Sequence, residues 1–259
     1  MDLGIKGKNA IICASSRGLG RGCAVALAAA GCNVVINGRD EKTVRQTAQE
    51  IRDGFGVTVH EVAADVSSQA GQKALLEACP EPDILVNNNG GPPRRDFRAL
   101  SRQDMLDGVT QNMVVPLELI QATIDGMAER GFGRIVNITS LSVYMPIGGL
   151  DLSSGARAGL TAFLAGVARG FAGKNVTINN LLPGKMDTER LQSGIRYGAE
   201  KTGTSYAEQA ERQAAEVPAK RFGTPEEFGQ ACAFLCSTHA GYITGQNLLM
   251  DGGLYTSAF

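Results

Sequence analysis

Residues 9–31 read Asn9-Ala10-Ile11-Ile12-Cys13-Ala14-Ser15-Ser16-Arg17-Gly18-Leu19-Gly20-Arg21-Gly22-Cys23-Ala24-Val25-Ala26-Leu27-Ala28-Ala29-Ala30-Gly31. The apolar run 10–14 predicts a short buried strand. Polar Ser15, Ser16 and Arg17 then lead through Gly18 and Gly20 into an alanine-rich segment that can only be helical. A helix that starts on glycines offers free backbone N–H groups and the positive end of its dipole, with nothing bulky to keep a pyrophosphate away. Gly18 and Gly20 alone could equally make a tight turn, so the neighbouring segments have to decide.

Outward from this stretch, apolar runs at 33–37, 57–61, 83–86, 133–139, 175–182 and 246–250 read as strands, separated by helical patterns. Ser67 or Ser68 is placed to cap the helix after the third strand, and Ser101 caps a long segment reaching about 130. The alternation predicts an α/β fold: a single-domain, doubly wound, Rossmann-type sheet that is mostly parallel. The whole chain, 1–259, is expected to be one dinucleotide-binding domain, with no repeat, linker or low-complexity segment.

Of the 259 residues, 43% are hydrophobic, enough for a large core, and the net charge of -1 leaves no footprint for nucleic acid or an anionic membrane surface. The longest apolar run, 23–30, is too short to span a bilayer, and the N-terminus has no signal-peptide pattern, so a cytoplasmic location is expected. Six cysteines without a Cys-x-x-Cys pair read as reduced core residues. Two histidines cannot supply a usual zinc triad, and no metal is expected.

The residue closing the second strand discriminates between cofactors, because Asp or Glu there accepts from a ribose 2′-hydroxyl and repels a 2′-phosphate. Here that position is neutral Asn37, with Arg39 just beyond and Arg17 in the first loop. The two cations predict NADP(H). Asp65 has two open readings, accepting from the adenine amino group or holding its own loop through local N–H groups.

From about Gly7 to Gly253 the chain resembles the short-chain dehydrogenase/reductase family, close in layout to the 3-oxoacyl carrier-protein reductases. The resemblance rests on several motifs. They are the glycine turn from Cys13 to Gly20, Asn87-Asn88-Asn89-Gly90, and the 133–140 strand ending in Ser140. Pro183-Gly184 with Thr188, Arg221-Phe222-Gly223-Thr224-Pro225, and Ile243-Thr244-Gly245-Gln246 before Asp251-Gly252-Gly253 complete the set. The family's first turn usually begins Thr-Gly, where this chain has Cys13-Ala14. The resemblance implies cofactor contacts from Ser15, Ser16, Arg17, Gly18, Leu19 and Gly20, from Asn37, Arg39, Asp65 and Val66, and from Asn88, Gly90, Pro183, Gly184 and Thr188. It implies a proton-relay asparagine at Asn112, whose other reading is a buried amide bonding the backbone. It also implies a substrate-orienting Ser140, a lid at about 188–220 and a homotetramer formed through helices 101–130 and 153–172.

The family's Tyr-x-x-x-Lys is replaced in this register by Ser153-x-x-x-Arg157. The expected activity is NADP(H)-dependent interconversion of a small carbonyl and an alcohol with an atypical site. There Tyr144 supplies the proton and Arg157 anchors the ribose and lowers the pKa of the phenol. Lys185 is the reserve donor. The other reading is a catalytically silent nucleotide-binding protein acting as a sensor or assembly partner.

Overall fold

The computed structural model describes residues 1–92 and 94–257. Seven parallel strands form one sheet in the order β3-β2-β1-β4-β5-β6-β7. They are β1 Asn9–Ile12, β2 Asn33–Gly38, β3 Val59–Ala63, β4 Ile84–Asn87, β5 Gly133–Ile138, β6 Val176–Pro183 and β7 Asn247–Met250. The order reverses between β1 and β4. That switch point opens a crevice at the carboxyl ends of the strands. The helices are α1 Gly18–Ala29, α2 Glu41–Phe55, α3 Gln69–Ala78, α4 Arg102–Val109, α5 Val115–Glu129, α6 Asp151–Phe171, α7 Glu189–Thr202, α8 Tyr206–Ala215 and α9 Pro225–Cys236.

Alternation along the strands builds two cores. Ala10, Ile12, Val34 and Ile36 face Leu27, Val44, Ile51 and Phe228 of α1, α2 and α9. Ile11, Val35, Leu85 and Ile135 face Leu75, Leu119 and Leu160 of α3, α5 and α6. Each fully buried side chain of this size contributes about 1.5–3 kcal/mol, which is why short strands suffice. The six cysteines are all free and buried.

Three local features differ from the sequence expectation. The segment after Ser101 is not one regular helix: a π turn at Thr110–Val114 separates α4 from α5. Pro116, in the first turn of α5, has no N–H to offer the carbonyl four residues back, that of Asn112, so the ladder is broken beside it. The polar 188–220 region contains the helix pair α7 and α8, capped by Thr188 and Ser205. On α6, the small residues Gly155, Ala162, Ala165 and Gly166 are exposed, while Ser153, Ala156, Arg157, Leu160 and Leu164 face inward.

The turn after β1 is held in an unusual way. Ala14 has φ 45, in the left-handed region that a side chain resists. Its N–H donates to Asn37 Oδ1 at 2.9 Å and its carbonyl accepts from Asn88 Nδ2 at 3.1 Å, so two strand ends impose the conformation. Ala14→Gly should therefore raise stability by about 0.5–1 kcal/mol, after allowing for glycine's larger unfolded-state entropy. Urea denaturation midpoints would show it, and an unchanged or lower midpoint would sink the argument.

Candidate active site

The crevice begins where α1 starts on Gly18 at φ 59. Arg17 provides no side-chain cap for α1, whereas α2, α3, α4, α7, α8 and α9 are each capped by the preceding side chain. A Cβ at Gly18 would meet nothing nearer than Thr188 Cγ2 at 3.9 Å, so the end of α1 is open toward the start of α7. At Gly20 a Cβ would stand 2.9 Å from Asn88 Nδ2, so this glycine is required by packing within the turn. The geometry fits a diphosphate at Gly18, with uncapped amides as donors. Pro183 and Gly184 lie beyond, with Gly184 N–H donating to the Met250 carbonyl at 2.9 Å.

Beside the turn lies a cleft of about 300 Å³ lined by Ser16, Arg17, Arg39, Asp40 and Thr43. Arg17 and Arg39 thus line one cleft, as the sequence reading requires. Arg17 is shared: Nη1 pairs with Glu189 Oε2 at 3.0 Å, both side chains being two-thirds exposed. Arg39 is exposed and makes no ion pair among the described residues. Asp40 is a carboxylate that the sequence reading did not place here. It accepts from the Thr43 N–H at 2.8 Å and from its hydroxyl, and these bonds hold its pKa below the ordinary carboxylate value while it caps α2.

The Asn37 side chain is turned inward. It is buried in β2, which runs one residue further than expected, and its amide is fully used: Oδ1 accepts from Ala14 N–H, and Nδ2 donates to the carbonyls of Val62 and Ala64 at 3.1 and 3.0 Å. It shapes the cradle by joining the ends of β1, β2 and β3. Asn37→Asp should therefore fail to recruit NADH and instead cost at least about 3 kcal/mol, by aiming a buried carboxylate at two carbonyl oxygens. A stable variant with tighter NADH binding would refute this, as read by urea unfolding and cofactor titration.

Other expected contacts have local employment. Ser15 Oγ donates to the Ile12 carbonyl at 2.7 Å and accepts from Asn37 N–H. Asp65 Oδ1 accepts from Ser67 N–H at 2.9 Å, the loop-holding alternative, while Val66 is buried. Leu19 is half-buried beside the turn, and Gly90 is exposed after β4. Thr188 Oγ1 accepts from Leu191 N–H at 3.5 Å as the cap of α7.

On the chemical side, Ser140 ends the β5 segment half-exposed, its Oγ accepting from Ser142 N–H at 3.1 Å. Tyr144 follows in the same turn, 41% exposed, and its ring stacks on Tyr255 with centroids 5.4 Å apart. Tyr255 was invisible to sequence reasoning, because nothing local marks the chain end as returning to this turn. Ser153 and Arg157 are buried on α6 and touch one another: Nε donates to Ser153 Oγ at 3.2 Å, and Nη1 donates to the Ile138 carbonyl at 2.6 Å. These bonds turn the guanidinium into the protein, and none reaches Tyr144, so the expected lowering of the phenol pKa by Arg157 has no contact behind it. Burial, and secondarily the charge of Arg190, push the Arg157 pKa down to about 10, which still leaves it cationic at neutral pH. Lys185 is committed elsewhere, pairing with Glu216 and donating to the Gln213 carbonyl.

Asn112, in the π turn, donates through Nδ2 to the Gly108 carbonyl at 3.2 Å, while its Oδ1 is buried without a partner. Asn87 Oδ1 is likewise unpartnered, and both residues line a cavity of about 10 Å³ together with Asn137 and Arg157. The Nδ2 bond is the backbone-bonding alternative for Asn112. Among the described residues no group of three or more His, Cys, Asp or Glu is arranged to hold a metal, and no helix is long and apolar enough to cross a membrane.

A family model described as enoyl-(acyl carrier protein) reductase matches residues 13–255, spanning the cradle, the Ser140 turn and the segment bearing Tyr255. The chain belongs to the short-chain dehydrogenase/reductase family. Within that family it is similar to the 3-oxoacyl-[acyl-carrier-protein] reductase of Aquifex aeolicus, with 30% identity over 98% of this chain and 100% of the relative. L-sorbose reductase from Gluconobacter frateurii, solved with NADPH and L-sorbose, superposes with TM-score 0.95 and 29% identity, covering 99% of this chain and 100% of that one. YwfH, an NADPH-dependent reductase involved in bacilysin biosynthesis, superposes with TM-score 0.91 and 28% identity, covering 97% and 100%.

Proposed function

We propose that the protein is an NADP(H)-dependent oxidoreductase interconverting a carbonyl and an alcohol, with residues 1–259 acting as one domain and 188–220 as its lid. The observation that carries the reading is the cleft in which Arg39 stands without an acidic partner beside the open end of α1. A bound nicotinamide would supply or accept hydride. In the proposed arrangement Arg39 and Arg17 hold the 2′-phosphate, the α1 amides hold the diphosphate, and Thr188 and the backbone at Pro183 and Gly184 flank the nicotinamide.

Ser140 orients the carbonyl and Tyr144 holds the proton that the oxygen receives. Ser153 and Arg157 occupy the positions of the family's Tyr and Lys. Their mutual hydrogen bond makes them a positioning pair for the Ser140 turn through the Ile138 carbonyl, and Asn112 Oδ1 faces the same cavity as a relay acceptor. The test is titration with NADPH and NADH in parallel with NADPH consumption over a panel of aldehydes, ketones and oxo acids. Binding of NADPH with turnover of at least one carbonyl is expected. Failure to bind NADPH refutes the reading, and tight binding without turnover across the panel moves it to a silent nucleotide-binding protein.

We also infer a homotetramer. Met105, Leu106, Val109 and Val114 around α4 and Phe163 on α6 are exposed apolar groups next to the outward small residues of α6. Such a surface is covered in stable oligomers. Light scattering at micromolar concentration should give about four times the chain mass, and a monomer would overturn the inference.

A further inference from the structure

We propose that the substrate side of this crevice takes an anionic carbonyl compound, an oxo acid whose carboxylate is held by Arg190 and Arg94 at the mouth with Arg157 beneath. The inference rests on the oxidoreductase reading and names its substrate class.

The charges are unevenly matched. Around the mouth, Asp96 is paired with Arg98, Asp104 with Arg95, and Glu189 with Arg17. No carboxylate pairs with Arg94, Arg157 or Arg190 among the described residues. Asp151, at the start of α6, is exposed and makes no ion pair there either. The placement is specific. Arg190, in the first turn of α7, lays its guanidinium over Gly91, where a Cβ would stand 2.6 Å from Nη1, and Nη2 donates to the Pro92 carbonyl at 3.3 Å. Arg94 packs its Cβ against Gly149, 3.7 Å from where a Cβ would sit, in the loop that leads from Tyr144 to α6. The first turn of α7 thus meets the loop after β4 through Arg190, and that loop meets the segment before α6 at Arg94 and Arg95, whose N–H donates to the Gly149 carbonyl at 3.0 Å.

Beneath, Arg157 spends Nε and Nη1 on Ser153 and Ile138, neither of which carries a charge. The groups also feel one another: the charge of Arg94 lowers the Arg190 pKa after the larger effect of desolvation, and that of Arg190 lowers the Arg157 pKa in the same way. Like charges left unneutralised at one end of a crevice favour an anion, and a carboxylate matches the guanidinium fork in geometry. The cofactor's own anions have other positions available, the diphosphate at the open end of α1 and the 2′-phosphate at Arg39.

The experiment titrates the protein, with and without NADPH, with 2-oxobutanoate, 3-oxobutanoate and 4-oxopentanoate and with the methyl ester of each, by calorimetry and by NADPH consumption. At least one acid should bind about ten-fold or more tighter than its ester. Arg190→Gln and Arg94→Gln should each shrink that acid-over-ester ratio, and Arg190→Lys should keep most of it. Acids that bind no better than their esters overturn the inference. So does an Arg190→Gln variant that loses NADPH affinity by the same factor as acid affinity, since the arginine would then serve the cofactor. If the unmodified protein does not bind NADPH, the oxidoreductase reading fails, while the acid-over-ester ratio of the cofactor-free protein still decides the anion site.

Discussion

Arg39→Asp should reverse the cofactor preference from NADPH to NADH. Arg39 lines the 300 Å³ cleft without an ion pair, whereas Arg17 on the same cleft is already shared with Glu189. A charge-assisted contact to a phosphate is worth roughly 1.5–3 kcal/mol, so losing it alone should weaken NADPH binding by about ten- to a hundred-fold. The new carboxylate adds repulsion against the 2′-phosphate and an acceptor for the 2′-hydroxyl of NADH, moving the preference further in the same direction. Asp40 beside it is already committed to Thr43, so the new charge does not have to form the α2 cap. Because the site is exposed, the NADPH preference of the unmodified protein should fall as salt is raised. Fluorescence titration of both cofactors checks the prediction, and equal affinity of the unmodified protein for the two would sink it.

Tyr144→Phe should lower kcat by two or more orders of magnitude with NADPH binding retained. Adding hydride to a carbonyl leaves an oxygen that must be protonated, and the acid's pKa decides how well a side chain can do so. An alkyl hydroxyl such as Ser153 holds its proton about as tightly as water does and far more tightly than a phenol, so it is much the poorer acid. Ser153 is further restricted by accepting from Arg157 Nε, and Arg157 remains protonated at neutral pH. Lys185 is engaged with Glu216. Tyr144 is the phenol that follows Ser140 in the same turn, and it is partly exposed. Its ring is positioned by stacking on Tyr255, which gives the experiment a second arm. Undiminished turnover in Tyr144→Phe removes it from the mechanism, and a large fall in Tyr255→Phe alone transfers the role to Tyr255.

The parts of this molecule legible in the chain were those governed by local rules. Apolar runs of strand length alternating with helical patterns imply parallel strands joined by helical crossovers, because a parallel pair cannot be closed by a tight turn. Gly18 and Gly20 before an alanine-rich run marked the turn into α1, Gly18 because it takes a positive φ at an open helix end and Gly20 because a Cβ there would collide with the Ala14 carbonyl oxygen. The break at Thr110–Val114 was not read from the chain, because the apolar pattern runs on through it and only the backbone bond missing at Pro116 marks it.

What the tertiary structure alone decided was the direction and partnership of side chains. Whether position 37 or 39 reaches the cleft beside Ser16 depends on where β2 ends, and pairing of β2 with β3 carries the strand through Gly38, burying Asn37 and leaving Arg39 exposed on the cleft. Arg157 reaches the Ile138 carbonyl because α6 packs against β6 and the turn that follows β5, a placement set by the sheet and not by the helix itself. The meeting of Tyr144 with Tyr255, and of Arg190 with the Gly91-Pro92 loop, follows from sheet order and from how far each loop reaches across it. No local pattern encodes those distances; they appear only once the seven strands are paired.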